Sequence, residues 1–129
     1  MSITFADKAL GGFQQSLNLR AKRVELLSQN IANADTPNFK ARDIDFKAAM
    51  ASAQSQQVRT TNKMHISAAP GGASDGVVYT TPLNPSADGN TVEISVEQAK
   101  FGQAAAEYQA TLRFLESRVS GIRKALKGE

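Results

Sequence analysis

Apolar residues recur at every seventh position near both ends of this 129-residue chain, and this spacing limits its fold more than any other feature. Two interleaved apolar series with a seven-residue period are typical of a helix that packs one stripe against another helix. The N-terminal series run from Ile3 to Ala34, and the C-terminal series run from Phe101 to Leu126. The residues that we expect to pair the two helices are Leu10, Phe13, Leu17, Val24, Leu27, Phe101, Tyr108, Leu112, Leu115, Val119 and Ile122.

The sequence therefore predicts a mainly α-helical fold in which two long terminal helices pair as an antiparallel coiled-coil hairpin. We expect the N-terminal helix within residues 1–35 and the C-terminal helix within residues 92–129. Residues 36–91 form an extended, partly irregular middle region, because breaker and turn residues are frequent there. Within this region we expect a marginal helix over 47–57 and a short strand over 77–81.

The helix ends have their own signals. Pro37 should end the first helix within about three residues of Ala34, since proline disfavours a helical conformation in the residue before it. The pattern Asn90-x-x-Glu93 fits a capping box, so the second helix should begin soon after Asn90. Gly128 can close its C-terminus in a left-handed conformation.

Composition excludes several classes of function. The net charge is +3 from 15 basic and 12 acidic residues, and the chain has no cysteine, which rules out disulfides and thiol chemistry. No apolar run approaches the roughly 20 residues of a membrane span, so we expect no membrane insertion. The first residues lack the basic head and apolar stretch of a secretory signal, so we expect no export by a cleaved signal peptide.

The apolar seam between the helices is thin, because many of its positions are alanine. Two paired helices bury too little surface to offset the conformational entropy that ordering them costs. Four large apolar residues off the seam offer a second surface, and these are Phe5, Leu19, Leu26 and Phe114. We therefore expect the isolated chain to be partly unfolded and to become ordered on assembly.

A motif follows the first helix. Residues 30–39, NIANADTPNF, resemble the N-terminal signature of the flagellar rod, hook and hook-associated family, usually Asn-Ile-Ala-Asn-x-x-Thr-Pro-Gly-Tyr. The run ARDIDF at residues 41–46 and the short length are similar to a short proximal-rod member of that family. Asn38 and Phe39 replace the Gly and Tyr of the signature, and asparagine tolerates the positive φ that a glycine would adopt in a turn.

The resemblance implies a structural subunit of the proximal rod of the bacterial flagellar basal body, which transmits torque from rotor to hook and is required for motility. It implies assembly with other rod proteins and with copies of the chain, in a helical or ring-like array around a central channel. Membrane-ring and rod-adapter proteins and the flagellar type III export apparatus are the further implied partners, and the implied location is the periplasm. The other short proximal-rod paralogue remains an alternative.

Polar side chains in the corner after the first helix are expected to bond its last carbonyls. These side chains belong to Asn30, Asn33, Asp35 and Thr36. Charged residues expected to face solvent or a neighbouring subunit are Lys40, Arg42, Asp43 and Asp45. The motif residues that we expect to form an assembly corner are Asn30, Ile31, Ala32, Asn33, Thr36, Pro37, Phe39, Arg42, Asp43 and Phe46.

A free helical hairpin that binds an anionic partner such as nucleic acid is the alternative from another class. It would rely on small basic clusters around Arg20 and Arg123, and its binding would weaken with salt. The rod interpretation predicts no nucleic-acid binding.

Signals of enzyme chemistry are weak. Asp43 and Asp45 lack a third ligand nearby, His65 is the only histidine, and the glycine pair after Pro70 lacks the lysine of a phosphate-binding loop. We therefore expect no catalytic activity, no cofactor and no metal.

Overall fold

The computed structural model of the chain describes residues 5–55 and 76–128. Two long helices dominate it: α1 spans Phe5–Ala32 and α3 spans Ile94–Lys127. Between them lie the strand β1, Arg42–Ile44, the helix α2, Phe46–Ser55, and the strand β2, Val77–Tyr79. The fold is mainly α-helical, as the heptad spacing predicts.

The two long helices run antiparallel, because contacts that advance along α1 recede along α3. Arg20 of α1 meets Glu107, and Asn30, ten residues later, meets Glu97. Near the other end, the guanidinium of Arg118 lies 6.0 Å from the ring of Phe13. The predicted antiparallel hairpin is confirmed.

β1 and β2 form a two-stranded antiparallel sheet in which Asp43 is opposite Val78. The predicted strand over 77–81 and the predicted helix over 47–57 are therefore both present in part, and β1 is a further strand within the region expected to be extended and partly irregular. Asp45 N–H donates to the carbonyl of Gly76, and Thr80 N–H donates to that of Ala41, so the ladder extends just past the strands. The predictions for Ile3, His65 and residues 70–72, and for the side chain of Phe5, lie outside what the structure describes.

The helix ends match the sequence signals in part. α1 ends at Ala32, within the expected margin, and Gly128 closes α3 at φ 73° with its N–H bonded to the carbonyl of Lys124. The predicted capping box is wrong. α3 begins at Ile94, and the side chain of Glu93 before it makes no capping hydrogen bond. Asn90 lies four residues before the helix, and its side chain bonds the turn after α1 instead.

The core lies at one end of the hairpin. Leu26, Ile44 and Ala49 form a buried cluster against which Leu19 and Val77 pack. Every buried residue among those described lies in 26–49, at 76 or 90, or at 97 or 104. The strands and α2 therefore cover the last turns of α1, whereas in the opposite half of the hairpin the described residues are those of the two long helices.

The predicted pairing residues reflect this asymmetry. Leu27 is fully buried, and Val119 is exposed. Half-buried positions are Leu10, Phe13, Leu17, Val24, Phe101, Tyr108, Leu112, Leu115 and Ile122. Leu126, the last residue of the C-terminal series, is 84% exposed.

Candidate functional site

The segment after α1 turns sharply and is joined by the segment before α3. We call residues 33–41, together with residues 86–92 that bond to them, the corner. Asn33 donates from its side chain to the carbonyl of Gln29 at 2.8 Å and accepts from the Thr36 hydroxyl at 3.1 Å. Asn33 therefore bonds its own helix end, as the motif predicts.

Asn90, which follows Asn33 by 57 residues, donates to three carbonyls of this turn. Its side-chain nitrogen lies 2.9, 2.8 and 2.9 Å from the carbonyl oxygens of Asn33, Ala34 and Thr36. Its side-chain oxygen accepts the N–H of Val92 at 2.7 Å. An amide has two N–H donors, so the three carbonyls share them. Asn90 is buried, and its amide satisfies the Ala34 carbonyl and adds a donor to the Asn33 and Thr36 carbonyls, which also accept backbone N–H groups.

Asn30 has a different role from the one expected. Its side chain is 1% exposed and bonds the backbone of β1, accepting from Arg42 N–H at 3.1 Å and donating to the Arg42 carbonyl at 2.7 Å. It also donates to Glu97 of α3 at 2.9 Å. The prediction that Asn30 bonds carbonyls of its own helix end is wrong, because the side chain faces inward and joins α1, β1 and α3.

Glu97 is a buried acid in the first turn of α3. Its other carboxylate oxygen lies 3.4 Å from the ammonium group of Lys100, and its own backbone N–H bonds the carbonyl of Glu93. A buried carboxylate is costly unless it is paired and hydrogen-bonded, and Asn30 and Lys100 supply these contacts.

A second polar cluster joins the middle of the hairpin to β1. The guanidinium of Arg23 bonds both carboxylate oxygens of Asp43, at 2.9 and 3.2 Å. This hydrogen bonding raises the pKa of Arg23 above its ordinary value, against the opposing effect of burial. Arg20 pairs with Glu107 and stacks over the ring of Phe46 at 4.6 Å.

These contacts correct part of the expectation for the charged residues of the motif. Asp43 and Arg42 do not simply face outward: both are half-buried, and Arg42 donates to the side chain of Gln29 at 3.3 Å. Lys40 and Asp45 are exposed, as expected. Asp43 lies inward because Arg23, nearly three helical turns before the corner, presents a matching pair of donors.

Backbone bonds hold the two segments of the corner together. Asn38 N–H donates to the carbonyl of Asp88, and Thr91 N–H donates to that of Phe39, both at 3.0 Å. Asn38 has φ 59°, the left-handed conformation expected where the family signature has glycine. Gly89, at φ 77°, approaches Asn38 so closely that a Cβ would lie 2.6 Å from its side-chain oxygen.

The other motif residues differ in exposure. Ile31, Phe39 and Phe46 are half-buried, and Ala32, Thr36 and Pro37 are exposed. The exposed carboxyl of Asp88 accepts from the Ser86 hydroxyl and from Asn90 N–H, and these bonds lower its pKa.

No group of three metal-ligating side chains occurs in residues 5–55 and 76–128. Within the same ranges, no helix is long and apolar enough to cross a membrane.

Sequence reasoning missed Asn90, Glu97, Arg23 and Glu107 as parts of this site. The one local signal, the Asn90-x-x-Glu93 pattern, indicated a helix cap. The partners of Asn90 and Glu97 lie 54 to 67 residues away, so no short motif could reveal them.

Comparison with known proteins shows the family to which the first helix and the corner sequence belong. The family model for flagella basal body rod proteins matches residues 14–40, which span about the last two thirds of α1 and most of the segment 33–41 after it. A flagellar basal body rod protein FlgB from Aeromonas hydrophila is 49% identical over 100% of this chain and 99% of its own length. The chain belongs to the FlgB family.

Other FlgB relatives agree over nearly the same span. The Cereibacter sphaeroides protein is 48% identical over 97% of this chain, and the Salmonella typhimurium protein is 40% identical over 95%. Membership of the FlgB family makes the chain a structural component of the proximal rod of the flagellar basal body, with a role in motility. It also decides between the two short proximal-rod proteins, as the ARDIDF run had indicated.

Proposed function

We propose that this FlgB-family chain builds the periplasmic rod by packing its corner and the outer face of α3 against neighbouring rod subunits, including its own copies. The same array would leave the central channel, contact the membrane-ring and rod-adapter proteins at its base, and receive the chain from the type III export apparatus without a cleaved signal. No catalytic step is part of this proposal.

Uncovered apolar surface supports the proposal. Phe114 of α3 is 68% exposed, and Tyr79 and Leu83 beside the corner are 72% and 88% exposed. Phe114 lines a groove with Ile122 and Leu126, and contiguous exposed apolar side chains of this kind typically mark an interaction surface. The free half of the hairpin has no buried residue among those described, which supports the expectation that it becomes ordered when neighbours cover it.

The alternative anionic-partner function loses part of its basis. The expected N-terminal basic cluster is engaged within the chain, since Arg20 pairs with Glu107 and Arg23 with Asp43. A guanidinium held by a carboxylate is a poor phosphate ligand unless that pair is broken. The structural interpretation is therefore the one that we propose.

Replacing Phe114 with aspartate tests the proposal. Phe114→Asp alters an exposed side chain, so the hairpin should keep its helix content by circular dichroism while cells that depend on the variant fail to build rods and to swim. Gly102→Ser, at an exposed position on the same helix, is the control and should swim normally. Normal rods and swimming with Phe114→Asp would contradict the proposal.

A further inference from the structure

The hairpin is electrically polar along its length. The free end, which we define as residues 5–14 and 113–127, contains six basic and two acidic residues, for a net charge of +4. The corner end, residues 24–55 and 76–100, contains four basic and seven acidic residues, for a net charge of −3. A chain whose overall charge is only +3 thus presents opposite charges at its two ends.

An apolar groove lies at the positive end. It has a volume of about 630 Å³ and is lined by Phe114, Ile122 and Leu126, with Gly121 and Ala125 between them and Arg118 at its side. Leu126 is 84% exposed, so one wall of the groove is open. The exposed basic residues around it include Arg123 and Lys124.

A single apolar side chain projects from the negative end. Leu83 is 88% exposed and sits between Pro82 and Pro85, which restrict the backbone of its loop. The next residue, Asn84, donates its N–H to the carboxylate of Glu93 at 2.9 Å, so the loop is tied to the start of α3. Leu83 is therefore held outward in a loop that is bonded to Glu93.

The two features cannot meet within one molecule. Glu93 and Leu126 are separated by 33 helical residues, which is about 50 Å at 1.5 Å per residue. We propose that Leu83 at the corner end of one copy docks in the Phe114–Leu126 groove at the free end of a second copy. The contact joins unlike surfaces, so it leaves one groove and one Leu83 open and can repeat from copy to copy. This inference rests on the proposed self-assembly and states which ends meet.

The absence of cysteine from the chain makes a clean test possible. Leu83→Cys and Leu126→Cys are purified separately, mixed at a concentration at which circular dichroism shows the helices formed, and treated with a short bismaleimide. The mixture should give about ten-fold more covalent dimer than either variant alone, because a contact between unlike surfaces pairs the two different positions. Raising the salt from about 0.05 M to about 0.5 M should lower the yield several-fold, since it screens the opposite charges.

Controls make each outcome decisive. Leu83→Cys mixed with Gly102→Cys should give only background dimer, and adding Arg123→Glu to the Leu126→Cys chain should reduce the yield. Equal cross-linking of each single variant with itself, no cross-linking in the mixture, or a yield insensitive to salt would each overturn the proposal. If Phe114→Asp abolished swimming while the mixture gave no dimer, the assembly function would stand and this docking mode would not.

Discussion

The side-chain nitrogen of Asn90 lies 2.9 Å from the carbonyl oxygen of Asn33, so a residue just before α3 closes the end of α1. The same nitrogen serves two more carbonyls of the turn, and the oxygen of the amide holds the backbone entering α3. The turn after α1 and the entry to α3 thus share one buried side chain, in addition to the backbone bonds of the corner.

Replacing Asn90 with alanine should destabilise the hairpin by about 1–3 kcal/mol, because the Ala34 carbonyl and the Val92 N–H lose the partner that Asn90 supplies. The Asn33 and Thr36 carbonyls would keep only their backbone N–H donors. Asn84→Ala removes an exposed amide of the same loop and should change the stability by less than about 0.5 kcal/mol. Urea unfolding followed by circular dichroism measures both. Equal stability of the two variants would show that Asn90 does not close α1.

The Asn30–Glu97 contact should respond to charge as well as to size. Asn30→Ala should cost about 2 kcal/mol, whereas Asn30→Asp should cost about 3 kcal/mol or more, since it places a second carboxylate against Glu97 and cannot donate to it. Adding Glu97→Gln to Asn30→Asp should restore part of the loss, because the glutamine amide can donate to the new carboxylate. A double-mutant cycle of unfolding free energies checks the coupling, and additive effects would contradict it.

Two glycines offer a matched pair of alanine substitutions with opposite signs. Gly89→Ala should destabilise the corner by about 1 kcal/mol or more, because φ is 77° there and the new Cβ would crowd the Asn38 side chain. Gly102→Ala lies in α3 with nothing within 4 Å of the new Cβ and should stabilise the chain by up to about 1 kcal/mol. Thermal unfolding of both variants tests the prediction, which fails if they shift in the same direction.

Acid should weaken the corner through Asp88. Its pKa is lower in the folded chain than its ordinary value because the Ser86 hydroxyl and Asn90 N–H donate to the carboxylate. The sign follows: these bonds stabilise the fold at pH above the ordinary aspartate pKa, and their contribution is lost as the pH falls through the lowered value. A carboxyl-carbon NMR titration should show this lowered pKa, and Ser86→Ala should move it upward; an unchanged pKa in that variant would exclude the hydroxyl as a cause.

Seam substitutions should abolish swimming by a different route from Phe114→Asp. Leu17 and Leu112 are half-buried in the hairpin, so Leu17→Asp or Leu112→Asp should lower its helix content and prevent rod assembly even where the chain is made and exported. Swimming assays with immunoblots of cellular and exported protein measure both. Normal swimming by both variants would refute the role of the seam.

The long helices and their pairing could be predicted because the seven-residue apolar spacing is visible within each segment and implies a single packing stripe on each helix. The turn at Asn38 could be predicted too, since asparagine is the residue that most readily replaces glycine at positive φ. Asn90 could not, because its local pattern equally fits a helix cap and its partners are distant in sequence. The sequence predicts that Asp43 faces solvent or a neighbouring subunit. Its contact with Arg23 could not be predicted, because Arg23 lies 20 residues earlier and no local pattern links the two.

The closure of α1 by Asn90 also sets an order of events in folding. Asn90 follows Asn33 by 57 residues, so the turn after α1 receives the Asn90 amide only when most of the chain is available. Closing so long a loop costs entropy before the contact is made, and high sequence separation slows folding. The corner should therefore form late in folding and in a single step, and the chain should stay flexible until α3 is available.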